Sequence, residues 1–390
     1  MRVTHVITRL IIGGAQENTI ASVLGLQRKP GLEVRLISGA ETGPEGSLSN
    51  ALDQSAVSLT LVPELVRNIH PWKDSLALRR LTQLFRHQRP DIVHTHSGKA
   101  GVLGRLAAHK AGVPTIIHTI HGPSFGPFQG PLANAVFTAA ERRAGKVTTH
   151  FVAVADAMIR QYLAAGIGSP EQYTKILSGF TLAPYLCAVN DSALRAKYGL
   201  SPEDIVIGKI ARLFKLKGHD DLFRIAPDLI RTRPKIKFLL VGDGPWRERF
   251  ERMAAALGLE KHFVFTGLVP PSEIPHLVGI MDVLIHLSLR EGLARALPQA
   301  MAAARPVVAY DCDGAGEVVR DNETGFLLRP GDLAGLRERL DHLAADADLR
   351  ERLGSRGREL VRNSFAVEKM VDDLFALYLK LAPASRMPSS

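Results

Sequence analysis

The 390 residues include only two cysteines, Cys187 and Cys312. That scarcity excludes a disulfide framework and a cysteine-rich metal centre. Aromatic residues are also few, at 6% of the chain. No recognition motif accompanies them, so nucleic acid is not an expected partner. No apolar run approaches the ~20 residues that a membrane-spanning helix needs. The opening Met1-Arg-Val-Thr-His-Val-Ile-Thr8 reads as a first strand rather than a secretory leader. The chain is therefore expected in the cytoplasm, or peripheral on the inner face of the cytoplasmic membrane. The G-x-G-x-x-G dinucleotide fingerprint is missing as well, which disfavours a dehydrogenase.

The length suits two domains better than one core. Hydrophobic residues at 46% and charged residues at 23% are ordinary for a globular protein. The net charge is +10, and it is unevenly spread. Residues 1–185 hold 19 Lys/Arg against 11 Asp/Glu, whereas 186–390 hold 30 against 28. A basic first half favours anionic partners such as an acidic membrane surface or a phospho-lipid acceptor.

Strand-like apolar runs alternate with helical patterns throughout, the signature of parallel α/β layers. In the first half the strands are expected at Arg2–Thr8, Glu33–Ser38, Asp91–His96, Thr115–His121 and Val147–Ala155. In the second half they are expected at Ile205–Ala211, Ile236–Gly242, Val264–Gly267, Val283–Leu287, Pro306–Tyr310 and Gly325–Leu328. Helical patterns between them include Lys73–Arg89 and Lys99–Ala111. Apolar periodicity lapses over Thr181–Pro202, which sets the domain boundary there. The expected units are 1–185 and 186–364, two doubly wound domains facing a central cleft at their C-terminal strand ends. Residues 382–390 read as a loose tail.

Several stretches carry chemistry. Glu291-Gly-Leu-Ala-Arg-Ala-Leu-Pro-Gln299 follows a buried strand and opens an Ala-rich helix. That order places a carboxylate beside helix N–H groups that favour anions, which suits a sugar joined to a diphosphate. Arg212-Leu-Phe-Lys-Leu-Lys217-Gly218 follows the first strand of the second half. Its planar fork and its point charge both suit a diphosphate, although such clusters are commonly solvated loops. Gly13-Gly14 after the first strand allows a tight turn or close approach to a ligand. Alternation puts His94 and His96 on one strand face and separates His118 from His121. No carboxylate or cysteine completes a metal set with these histidines at ligand spacing, so no metal is expected. Glu317 sits at a helix start, where an acid often only complements the dipole. Lys73–Arg89 mixes Leu76, Leu81, Leu84 and Phe85 with four arginines, and is expected to pack on its sheet with a charged outer face.

Together these segments resemble the GT4-type retaining glycosyltransferases (group 1, GT-B fold), and the likeness runs from the first loop to near residue 330. It implies that Arg212 and Lys217 clamp the donor diphosphate and that Glu291 binds donor-sugar hydroxyls. It implies that His121 and the Gly13-Gly14 loop face the donor from the first domain. It places Gly267 and Leu268 at the nucleotide base, with Leu293, Ala294, Arg295, Gln299 and Glu317 lining the donor site. It also implies that a last helix, 365–381, crosses back onto the first domain. The family usually has a second Glu where this chain has Gln299. A Glu there would bond the ribose hydroxyls, and Gln keeps a carbonyl acceptor but loses the charge. The implied activity is a metal-independent retaining hexosyl transfer. The donor would be a nucleotide-diphospho-sugar, UDP favoured and GDP the alternative. The acceptor would be a glycan or polyprenyl-diphosphate-linked oligosaccharide of the cell envelope, and no cofactor is expected. The competing readings are a catalytically silent nucleotide-sugar-binding scaffold, supported by Gln299, and a nucleotide-sugar epimerase.

Overall fold

A computed structural model describes residues 1–40, 46–48, 52, 55–126 and 128–382. Of the expected tail 382–390, all but Ala382 lies outside the described residues. The chain forms two compact units, Met1–Phe180 with Val367–Ser390, and Thr181–Ala366. The division falls after Phe180 and after Ala366 rather than at 185 and 364.

The first unit is a parallel sheet of seven described strands. They are β1 (Arg2–Ile7), β2 (Glu33–Ser38), β3 (Ser58–Leu61), β4 (Ile92–His96), β5 (Thr115–Ile120), β6 (His150–Ala153) and β7 (Tyr173–Lys175), in the order β3-β2-β1-β4-β5-β6-β7. The second is a parallel sheet of six described strands: β8 (Ile205–Ile210), β9 (Ile236–Val241), β10 (Phe263–Gly267), β11 (Val283–His286), β12 (Val307–Tyr310) and β13 (Gly325–Leu328), in the order β10-β9-β8-β11-β12-β13. Both orders reverse direction beside the first strand of the unit. At such a switch point the loops leave the C-terminal strand ends in opposite directions and open a crevice.

Central strands read clearly because both faces are covered. β4, Ile-Val-His-Thr-His, is buried at every position. Two strands are additions to the sequence reading. β3 is half exposed at the sheet edge, and β7 has three residues with none buried, so neither presents an apolar run. The expected strand Val147–Ala155 contracts to β6. Residues 146–148 instead close the preceding helix through the Val147 and Thr148 amides, which bond to Ala144 and Gly145.

The helix Val367–Leu381 belongs to the first unit. Its Val371, Leu374, Leu377 and Tyr378 join Val3, Ile7, Val23 and Leu36 in one buried cluster. Gly25 permits that contact, since a Cβ there would lie 2.3 Å from Val371 Cγ2. Each fully buried aliphatic side chain contributes about 1.5–3 kcal/mol, so this helix is part of the core. The second unit is centred on stacked phenylalanines, with Phe223 and Phe263 ring centroids 4.4 Å apart. The helix Pro71–Gln88 turns Ala77, Leu81 and Phe85 inward and leaves Arg79 and Arg80 exposed.

The helices Gly98–Ala111 and Pro131–Gly145 are pinned by a buried ion pair, Arg105 Nη2 to Glu141 Oε2 at 2.5 Å, both side chains 0–1% exposed. Arg105 Nε also donates to the Gly101 carbonyl at 2.7 Å. Removing one partner of such a pair strands a charge. Glu141→Ala is expected to destabilise the chain by about 3–5 kcal/mol in denaturant unfolding. Arg105→Met with Glu141→Leu is expected to recover most of the loss. Equal losses in the single and double variants would mean that the pair does not act as a unit.

Candidate active site

In the second unit, three loops meet at the C-terminal ends of β8, β11 and β12. The loop after β8 carries Arg212 and Lys217, and the loop after β11 carries Glu291. Backbone bonds join the two. The Leu289 amide donates to the Leu216 carbonyl at 2.9 Å. Leu216 adopts φ 71 and Gly218 φ 68, left-handed values that the second position meets with glycine. A Cβ at Gly218 would also lie 2.0 Å from the Leu287 carbonyl oxygen. The turn therefore closes tightly enough to bring the Lys217 ammonium onto Glu291 Oε1. Both side chains remain a quarter exposed.

The loop after β12 supports Glu291 from the other side. Asp313 Oδ2 accepts from the Glu291 amide at 2.7 Å. The Gly314 amide donates to the Gly292 carbonyl at 3.0 Å. Asp313 sits at φ 51, a conformation that Asp tolerates better than most residues. Its importance was missed in the sequence, although an Asp-Gly pair at a strand end was the available signal.

Electrostatics hold the Glu291 carboxylate well below the usual carboxylate range. Burial, the largest single influence, would push it up, and the Lys217 ammonium and the His286 ring together outweigh that. His286 Nε2 lies 3.6 Å from Glu291 Oε1, beyond hydrogen-bond distance. Burial lowers the His286 pKa, which favours the neutral ring. Arg212 stacks its guanidinium over Phe214, 5.5 Å from the ring centroid.

The helix expected after Glu291 begins at Ala296 with Arg295 as N-cap, and has seven residues. Leu293 and Ala294 are buried in the intervening loop, and Gln299 is buried on the helix. Gly267 ends β10 and forms an antiparallel bridge to Gly242, while Leu268 beside it is exposed. Glu317 lies in the first turn of the short helix Ala315–Val318.

In the first unit, Gly13 caps and Gly14 starts the helix Gly14–Gln27. His121 immediately follows β5, and its Nε2 is 3.0 Å from His96 Nδ1. His118 points to the opposite face, where its Nδ1 meets Thr95 Oγ1 at 2.9 Å. His5 was overlooked in the sequence. It pairs with His94 across β1 and β4, and the candidate ligand nitrogens of His5, His94 and His96 lie within 4.8 Å of one another. Each ring nitrogen of the three has a hydrogen-bonding neighbour within the protein.

Two parallel doubly wound units are the architecture of the GT-B fold. The crystal structure of Anabaena HepE in complex with UDP and glucose matches with a TM-score of 0.82, covering 97% of this chain and 99% of that one at 22% identity. The chain belongs to the group 1, or GT4-type, glycosyltransferases. The Glycosyl transferases group 1 profile matches residues 190–360 and the Glycosyl transferase 4-like domain matches 14–176. The chain is 30% identical over 279 residues to the GDP-mannose-dependent alpha-(1-6)-phosphatidylinositol monomannoside mannosyltransferase of Mycolicibacterium smegmatis, covering 69% of this chain and 71% of that protein. It is 28% identical over 385 residues to the Escherichia coli UDP-Gal:alpha-D-GlcNAc-diphosphoundecaprenol alpha-1,3-galactosyltransferase, covering 98% and 97%.

Lys209, near the C-terminal end of β8, is another residue the sequence reading passed over. It is 1% exposed, and its Nζ has no hydrogen-bond partner among the described residues. Burial first, and Lys217 second, lower its pKa from 10.5 to about 7. The unfolded chain therefore binds more protons between these values, and stability rises with pH across that window. Below about 7 the full cost of the buried ammonium is present. Lys209→Met is expected to raise the melting temperature at pH 6 more than at pH 10. Equal gains at both pH values would show that Lys209 does not titrate in this window.

Proposed function

We propose that this chain is a metal-independent retaining glycosyltransferase. It moves a hexose from a nucleotide-diphospho-sugar, UDP favoured over GDP, to a hydroxyl of a lipid-linked glycan in cell-envelope polysaccharide synthesis. The observation that carries this reading is the Lys217–Glu291 pair at the strand-end rim, with Arg212 on the same loop. Support for the acceptor class comes from the E. coli relative, whose name specifies a diphosphoundecaprenol-linked sugar.

The pair keeps a cation and a carboxylate ionised side by side. When the donor enters, Lys217 and Arg212 turn to the diphosphate and counter the charge that develops as the sugar leaves. Fixed cations here do the work that a divalent metal does in other transferases. Glu291, released from Lys217, accepts hydrogen bonds from the donor-sugar hydroxyls. The acceptor hydroxyl attacks the face from which the diphosphate departs, and the anomeric configuration is kept. His121 and the Gly13-Gly14 loop are the candidate donor-binding residues of the first unit. Gln299 meets the ribose with a neutral carbonyl oxygen, remote from the bond that breaks.

The first unit supplies a surface for the lipid-linked acceptor. Trp72 and Leu132 are 72% and 80% exposed, and Ile69 and Val136 are exposed beside them in sequence. The helices that carry or follow these residues start after β3 and β5, hence at the same C-terminal edge of a parallel sheet. Residues 131–146 contain one acid, Glu141, which is buried, whereas Arg142, Arg143 and Lys146 are exposed. Apolar side chains flanked by cations suit an anionic bilayer surface. Among the described residues no helix is long and apolar enough to cross a membrane.

Calorimetry with UDP, GDP, ADP and CMP in EDTA tests the donor site. We expect micromolar binding of one uridine or guanosine nucleotide, weakened about 10–100-fold in Lys217→Ala, the loss of a charged hydrogen bond. No binding to any of the four would sink the reading, and binding without sugar transfer would favour the silent scaffold. An isomerised donor without acceptor would identify an epimerase. Co-sedimentation with phosphatidylglycerol-containing vesicles tests the surface. Trp72→Ala with Leu132→Ser is expected to cut the bound fraction several-fold, and an unchanged fraction would remove this face from consideration.

A further inference from the structure

Behind His121 lies an unbroken file of hydrogen bonds that the transfer reaction does not use. His121 Nε2 meets His96 Nδ1 at 3.0 Å. His96 Nε2 meets His5 Nδ1 at 2.9 Å. His5 Nε2 meets Tyr378 Oη at 3.3 Å. Tyr378 Oη meets His94 Nδ1 at 2.5 Å, and His94 Nε2 meets Thr119 Oγ1 at 2.6 Å. His5, His94, His96, Thr119 and Tyr378 are all buried. They come from β1, β4, β5 and the C-terminal helix, so the file crosses the sheet.

A neutral imidazole carries one N–H and one lone pair, and a hydroxyl donates once. Burial lowers the pKa values of His5, His94 and His96, so these three rings are neutral. With both nitrogens of each ring engaged, the donors in the file must all point the same way. If Tyr378 donates to His94, then His5 donates to Tyr378, His96 donates to His5, and His121 Nε2 donates to His96. If Tyr378 donates to His5, every bond reverses and His121 Nε2 accepts. An error at one position leaves two buried donors, or two lone pairs, facing each other, which is costly in a dry interior.

We propose that Tyr378, His5 and His96 are positioning residues that couple the tautomer of His121 to the donor direction of the file, so that the C-terminal helix sets whether the proton of His121 sits on Nε2 or on Nδ1. The consequence for catalysis rests on the donor-binding role proposed for His121 above. The tautomer itself is a property of the unliganded protein and is testable without substrate.

Long-range proton–nitrogen NMR on histidine-labelled full-length protein reads each ring's tautomer, with His121 assigned by loss of its signals in His121→Gln. The wild-type protein is expected to show His121 as a single tautomer. Tyr378→Phe removes only the hydroxyl and uncouples His94 from His5, so His121 is expected to shift to averaged, mixed-tautomer values. Thr119→Val, a smaller perturbation at the far end, is the second variant and is expected to shift His121 in the same direction if Tyr378→Phe does not fold. Unchanged His121 shifts in whichever variants fold overturn the proposal. So does one equivalent of transition metal in the purified protein, since the histidines would then be ligands. In turnover assays, Tyr378→Phe is expected to lose kcat on the order of tenfold through misalignment, with donor Kd unchanged. A tautomer change with full activity leaves the file intact and removes His121 from the candidate donor-binding residues instead.

Discussion

The Lys217–Glu291 contact depends on a constraint older than either side chain, the parallel run of β8, β11 and β12. Parallel strands bring successive loops to one edge, and the backbone there must find partners away from the sheet. The Leu289 amide takes the Leu216 carbonyl, and the Gly314 amide takes the Gly292 carbonyl. Once those bonds form, the lysine and the carboxylate have little freedom to avoid each other. The Asp313 carboxylate then fixes the backbone of Glu291 rather than its side chain. This leaves the Glu291 carboxylate held by the Lys217 ammonium, with both side chains partly open to solvent.

Apart from the Arg105–Glu141 pair of the first unit, the two units bury polarity by different means. The second relies on charge: beside the effect of burial, the Lys217 ammonium lowers the pKa of both Lys209 and Glu291. The first relies on neutral rings, whose chain of donors and acceptors satisfies His5, His94 and His96 without a net charge. Neutral satisfaction costs less desolvation and holds geometry well. Charged pairs cost more desolvation.

Much of this was legible in the residues. Glu33–Ser38 and Gly325–Leu328 are strands to the residue, because apolar runs bounded by turn signals mark buried parallel strands. The Arg212–Lys217 loop and Glu291 were legible because side-chain chemistry and position at strand ends coincide. The last helix was legible through the family resemblance alone. Edge strands β3 and β7 were not, since half-exposed residues carry no pattern. His5 was not legible either, because a single histidine in a strand gains meaning only beside β4, some ninety positions away in the chain. Tyr378 and Lys209 were missed for the same reason. Their partners, or lack of them, are set by packing that local spacing does not encode.

The position of the helix Val367–Leu381 bears on how the chain is made. It completes the core of the first unit, yet it leaves the ribosome after the whole of Thr181–Ala366. Until then the apolar face of Gly14–Gln27 that receives Val371 and Leu374 has no cover. The second unit is contiguous and can close as soon as it emerges, whereas the first must wait with its sheet assembled and one face open. Vectorial synthesis therefore reverses the usual order in which amino-terminal domains finish first. A chain stopped short of residue 367 would lack both that cover and the hydroxyl of Tyr378.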